Sequence, residues 1–575
     1  DASTLYLAAE RYQEAAVRFY SDGRVAFFEP TSGDAISQKS IDTRGASITS
    51  FGHGEPRTRM AAFGLSDGRV VIATHNYEIS YPDDVRKVTP SLAFPMGDEP
   101  LVMDDQGQAL DQIAIQEGER GITVVAVTSD GRMLLKRFVA RRSFMTGLTE
   151  YRATDAVLPA PPETVSSVLL DITQENLLVA DESNSLYYYD ISNPRTAQQL
   201  DSTRLVSPEQ ARQGIQVTAL EYLLGTVSVI VGRSDGSLSQ YMLVRDADNI
   251  GRIVQIRDFE SHPGAITHIY PEFSRKGFMV GDQSGHVGLH FGTSTRTLLI
   301  EPVLQDAVQR VAITPRNDGI LYVDNAGTIH YRTLKNDHPE SSLKSLWQKV
   351  WYEGRDAPEY VWQSSSATDE FEPKFSLMPL TLGTLKAAFY AMLFAMPLAI
   401  CGAVYTAYFM HPTIRGWVKP AIEVMEALPT VILGFLAGLW FAPFVESHLP
   451  AVFSVLIVLP VMMLLTAFLW HRMSSGMKDR IPAGWEAVIL APVIIGATWV
   501  CVALSPSVEV AFFNGSMRQW FTDVGVTYDQ RNALVVGIAM GFAVIPTIFS
   551  IAEDAVFNVP RHLTQGSLAL GATPW

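Results

Sequence analysis

The sequence predicts a multi-domain protein, with an all-β domain in its first part and an all-α, polytopic membrane domain in its last part. Three observations support this division: charge is distributed unevenly, one kind of hairpin turn recurs seven times, and five long apolar stretches follow the last turn. Only 18% of the 575 residues are charged, which is fewer than the roughly 25% of an average soluble chain.

The charged residues are concentrated in the first 375 positions. These hold 35 Lys and Arg and 50 Asp and Glu, whereas residues 376–575 hold only 9 and 10. An acidic soluble part disfavours nucleic-acid binding, because contacts to phosphates need a basic surface. Both cysteines, Cys401 and Cys501, lie in the apolar part, so we expect no disulfide framework in the acidic part. Since the chain begins at Asp1 and stops at Trp575 inside a continuing pattern, we interpret it as a fragment cut at both ends.

The recurring turn is Ser-Asp-Gly-Arg or a close variant, and alternating apolar residues flank it. Its glycine position, once occupied by Asn, recurs at Gly23, Gly68, Gly131, Asn184, Gly236, Gly285 and Gly327. Spacings of 42 to 63 residues match the length of one four-stranded propeller blade. Residues 1–340 are therefore predicted to form a closed β-propeller of about seven blades, with a two-layer sandwich as the alternative. Asp-Gly between alternating runs favours a type I′ turn, in which both central residues have positive φ.

The stretch Ser261-His262-Pro263-Gly264-Ala265-Ile266-Thr267 resembles the loop that enters an inner strand in the WD40-like propeller superfamily. The Trp-Asp dipeptide of that superfamily is missing from every blade, so the resemblance implies the fold alone. We expect the hairpin turns to be structural; the alternative is that their Arg and Ser tips form a binding rim. His262 and His268 lack a third partner at metal spacing, so we expect no metal site, no cofactor and no catalytic group in this part.

Residues 341–377 interrupt the repeats with aromatic side chains among charges. Trp and Tyr gather at membrane–water interfaces, so this segment is interpreted as an interfacial connector. Packing of the same aromatic residues under the propeller is the alternative. The aromatic residues are Trp347, Trp351, Tyr352, Tyr360 and Trp362.

Five apolar stretches meet the requirement of about 20 residues for a membrane-spanning helix. They cover about 380–409, 428–445, 449–470, 485–506 and 532–552, within a domain predicted over 378–575. Loops after the first, third and fifth stretches hold six Lys and Arg, and loops after the second and fourth hold two. The positive-inside rule therefore predicts that the first set of loops is cytoplasmic and the propeller periplasmic. An earlier spanning helix would then lie upstream of Asp1.

Several ordered elements of the apolar part resemble one family. Pro379-Leu380-Thr381-Leu382-Gly383-Thr384-Leu385 opens the first stretch, and Lys419-Pro420-Ala421-Ile422-Glu423 and Leu428-Pro429-Thr430-Val431 follow it. The closing segment runs Gln565-Gly566-Ser567-Leu568-Ala569-Leu570-Gly571-Ala572-Thr573-Pro574-Trp575. Together these resemble the permease subunit of the bacterial phosphate ABC importer, in a long form with an inserted periplasmic domain. The resemblance covers roughly residues 345–575.

This resemblance implies a permease domain of the type I ABC importer kind in a bacterial inner membrane. It implies a cytoplasmic coupling loop over 553–575 that contacts an ATPase, with Gln565, Gly566 and Ser567 in place of the family's Glu-Ala-Ala and with Gly571 matching its glycine. Thr384, Pro429 and Thr430 are implied in the translocation path or in helix packing. The implied partners are a homologous permease subunit, two ATPase subunits and a periplasmic phosphate-binding protein. A plain cytoplasmic loop leading to a sixth span is the alternative for 553–575.

The chain is expected to be a transport subunit rather than an enzyme. It has no phosphate-binding loop of the form G-x-x-x-x-G-K-[ST], so ATP hydrolysis is expected in separate subunits. Two alternatives stay open: a membrane-anchored propeller scaffold or sensor that transports nothing, and a permease of the same architecture for another oxyanion.

Overall fold

The computed structural model describes residues 2–142, 149–246, 248–366, 371–474 and 486–573. The chain divides into two compact units, Asp1–Met378 and Pro379–Trp575. The first unit is built from β-strands and the second from α-helices, as the sequence predicts.

Seven antiparallel sheets follow one another along the first unit, and paired strands are neighbours in the sequence except in the second sheet, where the short fifth strand pairs with the third. Blades one to three contain β1 (Thr4–Ala9), β2 (Ala16–Tyr20), β3 (Arg24–Phe28) and β4 (Ala35–Ser40); β5 (Ile48–His53), β6 (Met60–Leu65), β7 (Arg69–Ser80), β8 (Lys87–Ala93) and β9 (Leu101–Val102); and β10 (Leu110–Gly118), β11 (Gly121–Thr128), β12 (Met133–Arg142) and β13 (Thr149–Leu158).

Blades four to seven continue the same pattern, except that the seventh sheet has three strands. They contain β14 (Val165–Leu170), β15 (Asn176–Asp181), β16 (Ser185–Asp190) and β17 (Gln198–Arg204); β18 (Val217–Tyr222), β19 (Ser228–Arg233), β20 (Leu238–Arg245) and β21 (Gly251–Asp258); β22 (Ile266–Pro271), β23 (Gly277–Asp282), β24 (His286–Phe291) and β25 (Arg296–Pro302); and β26 (Arg310–Ile313), β27 (Gly319–Val323) and β28 (Ile329–Thr333). The predicted seven-bladed propeller is confirmed.

Each of the seven predicted turns joins the second and third strands of one blade. In blade one, the Gly23 amide donates to the Tyr20 carbonyl at 3.1 Å, and Gly23 has φ +84°. Asp22, the residue before it, does not have positive φ. The turn is therefore a three-residue loop with a single left-handed position, and the type I′ prediction is wrong. Asn184 takes the left-handed position in blade four with φ +63°, because Asn tolerates this conformation better than most residues.

The ring closes where blade one meets blade seven. The Arg18 guanidinium donates to the Gly327 carbonyl at 2.7 Å, and the Arg310 guanidinium donates to the Leu5 carbonyl at 3.2 Å. One continuous core lies behind these bonds and includes buried side chains of blades one, two, six and seven. The first and last blades thus pack as ordinary neighbours, and no strand is exchanged between them among the described residues.

The segment after the last blade packs on the propeller. It contains α2 (Leu343–Trp347) and a small hairpin of β29 (Trp362–Gln363) and β30 (Lys374–Phe375). The Tyr352 side chain is 1% exposed, and Glu353 forms an ion pair with the buried Lys276. Trp347 and Trp362 are 45% and 42% exposed. Tyr352 is therefore packed in the interior, as the alternative interpretation of this segment predicts. Trp347 and Trp362 are exposed enough to contact another molecule or a membrane surface.

The second unit consists of helices. Their bounds, with α1 (Pro208–Arg212) counted in the first unit, are α3 (Leu377–Val404), α4 (Pro412–Glu426), α5 (Thr430–Leu436), α6 (Ala442–Ser447), α7 (Leu449–Arg472), α8 (Glu486–Phe512), α9 (Met517–Asp523), α10 (Ala533–Phe557) and α11 (Arg561–Ala569). A π-helical segment extends α3 through Tyr405–Phe409, and another over Ala437–Phe441 joins α5 to α6.

Five helical segments in the described residues are long and apolar enough to span a membrane: Leu377–Phe409, Thr430–Ser447, Leu449–Arg472, Val488–Phe512 and Ala533–Phe557. The predicted set of five is confirmed. Helices α3 and α10 approach closely through small residues, since a Cβ on Gly541 would lie 3.2 Å from the Ala391 carbonyl oxygen. Close contact through small residues is typical of membrane helix pairs, in which packing rather than the hydrophobic effect drives association.

Candidate functional site

Helix α11 carries three of the seven predicted site residues, and a fourth, Gly571, follows its end. It begins after Pro560, whose fixed φ suits the position before a helix, and it includes Gln565, Gly566 and Ser567. All three are exposed. Pro574 and Trp575, the last two residues of the predicted coupling loop, lie outside the described residues.

Helix α11 ends in a Schellman motif at Gly571. The Ala572 amide donates to the Ser567 carbonyl at 3.2 Å, and the Gly571 amide donates to the Leu568 carbonyl at 3.0 Å. Gly571 has φ +88°, and no atom lies within 4 Å of the place where a Cβ would stand. The glycine is thus required by the left-handed backbone and not by a close approach.

Apolar side chains project from α11 and from the turn that follows it. Leu563 and Leu568 are 58% and 50% exposed, and Leu570 is 91% exposed. A short helix that leaves its leucines uncovered next to a rigid turn is typical of an element that docks into a groove of a partner.

The three residues assigned to the path or to packing lie on two elements, Thr384 on α3 and the neighbouring Pro429 and Thr430 at the start of α5. Thr384 is exposed on α3, and its hydroxyl donates to the Leu380 carbonyl at 2.8 Å within the same helix. Pro429 precedes α5 at the N-cap position, and Thr430 is the first residue of that helix. Thr430 lines an apolar cleft of about 280 Å³ between the α5–α6 segment and α10. Among the residues that the structure describes, Arg531 is the one charged residue that lines this cleft.

An ion-pair cluster around the buried Glu553 carboxylate connects α4 to the end of α10. The Glu553 carboxylate has 0% exposure and accepts from Arg415 and, at 2.9 Å, from the Lys419 ammonium group. Lys419 also reaches Asp554 at 3.4 Å, and the Arg415 guanidinium lies 4.4 Å from the centre of the Phe557 ring. The hydrogen bond to Glu553 raises the pKa of Lys419, which keeps the ammonium group charged. Sequence reasoning missed this cluster, because its partners are 134 to 138 residues apart.

In the propeller, the arginines of the repeated turns are already paired. Arg24 and Arg69 donate to the aspartates two residues before them, at 2.6 Å and 2.7 Å. Arg132 donates to Asp130 at 2.8 Å and to both carboxylate oxygens of Asp104 at 2.9 Å and 3.0 Å. These pairs favour the structural interpretation of the turns over the binding-rim alternative.

The structure gives His262 partners that the sequence analysis did not identify. Its Nδ1 lies 3.2 Å from the Asp282 carboxylate and its Nε2 lies 3.1 Å from Nε2 of His290, all in blade six. His290 in turn lies 3.0 Å from the Thr297 hydroxyl. Burial, together with the neighbouring His262, lowers the pKa of His290 well below its usual value. Within the described residues no group of three or more His, Cys, Asp or Glu could hold a metal ion, and the cluster holds blade six together.

No protein-family model matches the chain. The probable ABC transporter permease protein YqgH of Bacillus subtilis is 21% identical over 204 residues, which are 36% of this chain and 41% of the relative. The phosphate transport system permease protein PstC of Haemophilus influenzae is 22% identical over 207 residues, 36% of this chain and 48% of the relative. PstC 2 of Mycobacterium tuberculosis is 24% identical over 137 residues, 23% of this chain and 42% of the relative.

Two solved structures each cover more than half of this chain. The β-propeller domain of Myceliophteria thermophila Cps50 (Swd1) has a TM-score of 0.41 at 10% identity and covers 58% of this chain and 97% of that chain. A chain of the mitotic checkpoint complex has a TM-score of 0.38 at 9% identity, with 57% and 86% covered. The strand pairing described above, and not these scores, assigns the propeller. The chain spans less than half the length of the curated relatives it matches. Its C-terminal part is similar to the PstC phosphate permeases and to a probable ABC permease, and a seven-bladed β-propeller precedes that part.

Proposed function

We propose that this chain is the permease subunit of an ATP-driven ABC importer for inorganic phosphate. The observation that carries the proposal is the similarity of the helical part to phosphate transport system permease proteins. The five apolar helices support it, since a translocation path needs several spanning segments.

The proposal includes three kinds of partner. A homologous permease subunit would complete the path, a periplasmic binding protein would deliver phosphate, and two ATPase subunits would drive alternating access. The exposed leucines of α11 and its rigid end at Gly571 support a docking role for this helix toward an ATPase. Gln565, Gly566, Ser567 and Gly571 would form that contact.

The residues that line the cleft between the α5–α6 segment and α10 would form this subunit's side of the translocation path. Its lining is almost entirely apolar, with Thr430 at one side and Arg531 as the charged residue. An anion that is released quickly needs few charged contacts, so a sparse lining suits a path better than a storage site. The opposite wall would come from the partner permease.

Transport by the full-length protein with its partner subunits tests the proposal. Cells that lack their own high-affinity phosphate importer would be supplied with the complete set of subunits, and uptake of radioactive phosphate would be measured with excess sulfate, molybdate or unlabelled phosphate as competitor. We expect uptake that depends on this chain and that unlabelled phosphate alone suppresses. Suppression by another oxyanion would assign that anion as the substrate, and uptake that does not depend on the chain would favour the scaffold alternative.

A further inference from the structure

Glu553 is a carboxylate without solvent exposure in the last turns of a mostly apolar helix. It forms ion pairs with two cations of one other helix, Arg415 and Lys419 of α4. A buried carboxylate costs free energy unless it is paired, and a well-packed apolar residue at the same place is often as stable. Stability alone therefore does not explain a buried ion pair at this position.

The ion pairs of this cluster fix the orientation of α4 relative to the C-terminal end of α10. Arg415 contacts Glu553 and lies over the Phe557 ring, while Lys419 contacts both Glu553 and Asp554. These contacts lie on successive turns of both helices, so rotation or sliding of one helix against the other would break a contact to the buried Glu553 carboxylate.

The connection from this cluster to α11 is short and hydrogen-bonded. Only Asn558, Val559 and Pro560 separate α10 from α11. The Asn558 amide donates to the Asp554 carbonyl at 3.0 Å, and the Leu563 amide donates to the Pro560 carbonyl at 3.0 Å. A displacement of α11 therefore reaches the Glu553 turn of α10 without a flexible segment between them.

The connection on the other side leads to the cleft. Helix α4 ends at Glu426, and α5 begins at Thr430 after a three-residue link that contains Pro429. Helix α5 supplies Thr430, Leu433 and Gly434 to the cleft wall. Helix α4 thus joins the ion-pair cluster to the α5 side of the cleft, whereas α10, which carries Glu553, supplies the opposite side.

We propose that the Glu553 carboxylate passes movement of α11 to α4, and through α4 to the α5 wall of the cleft. Glu553 is a positioning residue in this account, since it contacts neither the substrate nor the ATPase. The inference rests on the proposed function, because it assigns the route from the ATPase contact to the path. It extends that function by naming the group on which the coupling depends.

Two matched substitutions test the inference in the full-length importer with its partner subunits. Glu553→Gln removes the buried charge, and Glu423→Gln makes the same chemical change at an exposed carboxylate of α4 that does not belong to the ion-pair cluster. The measured quantity is phosphate taken up per ATP hydrolysed, at equal membrane levels. We expect Glu553→Gln to lower this ratio at least tenfold while ATPase subunits still co-purify, and Glu423→Gln to change it less than twofold.

A triple variant separates coupling from stability. Glu553→Gln with Arg415→Met and Lys419→Met leaves no unpaired buried charge, so it should restore any loss of membrane level. The inference predicts that its uptake per ATP stays low. Recovery of the ratio in the triple variant would show that the ion pair only stabilises the fold and would overturn the inference. If Glu553→Gln alone does not reach the membrane, the uptake per ATP of Lys419→Gln is compared with that of Glu423→Gln, and equal normal ratios contradict the inference.

Failure of this inference can be told apart from failure of the proposed function. Gly571→Val alters the end of α11 and leaves Glu553 untouched. If Gly571→Val lowers uptake per ATP and Glu553→Gln does not, the importer assignment stands and only the route through Glu553 is wrong. If the unsubstituted importer takes up no phosphate, the proposed function itself is wrong.

Discussion

At the scale of single residues, the repeated turn explains why Ser-Asp-Gly-Arg recurs. Its glycine has positive φ, its aspartate accepts hydrogen bonds, and its arginine donates to that aspartate in blades one, two and three. The turn positions were predictable from the sequence because all of these interactions span two to four residues. The buried partners of His262 lie 20 and 28 residues away, and no local pattern indicates them.

His75 makes the stability of the propeller depend on pH. Its side chain is 3% exposed, and neither ring nitrogen has a hydrogen-bond partner among the described residues. Burial, with a smaller effect of the Arg59 charge, lowers the pKa of His75 to about 3. Below pH 6.5 the unfolded chain therefore takes up a proton that the folded chain does not, so stability falls by about 1.4 kcal/mol per pH unit as the pH drops toward 3.

Thermal unfolding of the fragment 2–378 between pH 7 and pH 5 measures this effect. We expect His75→Phe, which keeps the packing against the Tyr6, Phe19 and Tyr77 rings, to reduce the loss of stability on acidification by about 1.4 kcal/mol per unit. His268 and His290 also have lowered pKa values, so we expect part of the pH dependence of stability to remain in the His75→Phe variant. The same pH dependence in the variant and the natural fragment would contradict the assignment to His75.

At the scale of elements, α9 and α11 end in the same way, which provides an internal control. Gly525 follows α9 with φ +88° and open space, and the Val526 amide donates to the Phe521 carbonyl at 2.8 Å. Gly571 has the same φ, the same open space and the equivalent bond after α11. A β-branched residue is strained at either glycine by about 1–2 kcal/mol.

Substitution at these two glycines tests the docking role of α11. Gly571→Val should weaken co-purification of the ATPase subunits at least tenfold, because the Schellman end and Leu570 would be displaced. Gly525→Val should leave co-purification unchanged at a similar cost in stability, and Gly571→Asn, which tolerates positive φ, should retain most of it. Equal effects of the two valine variants would mean that α11 has no special role in docking.

The segment 341–378 is predicted to stabilise the propeller. Lys276 is 3% exposed, and its ammonium group bonds Glu353 and the Leu224 carbonyl. A fragment 2–340 lacks Glu353 and Tyr352, so we expect it to be about 3–5 kcal/mol less stable than the fragment 2–378 in denaturant unfolding. Lys276→Met should stabilise the shorter fragment and destabilise the longer one. A change of the same sign in both would contradict the role of Glu353.

Some of these elements can be predicted from the sequence and others cannot. Apolar stretches longer than a bilayer core and turns at blade spacing are local features, so the five helices and seven blades followed directly from the sequence. The docking of the aromatic segment includes the ion pair between Lys276 and Glu353, which are 77 residues apart, and composition alone left its two interpretations open.

At the scale of the whole molecule, the loop charges predict opposite sides of the membrane for the propeller and α11. Single cysteines at Asp337, whose side chain is 69% exposed, and at Ala572 test this in a full-length chain whose other cysteines are replaced. We expect a membrane-impermeant maleimide to label Asp337→Cys in cells whose outer membrane is opened, and Ala572→Cys only after the inner membrane is also opened. The reverse pattern would invert the topology.

The central claim is that this chain imports phosphate at the expense of ATP. The most direct measurement is accumulation of radioactive phosphate in proteoliposomes that contain the full-length chain, its partner permease and the ATPase subunits, with binding protein and phosphate on one side and ATP on the other. We predict accumulation that requires ATP, the binding protein and this chain. ATP-dependent accumulation of equal size without this chain, or none with every component present, would contradict the account.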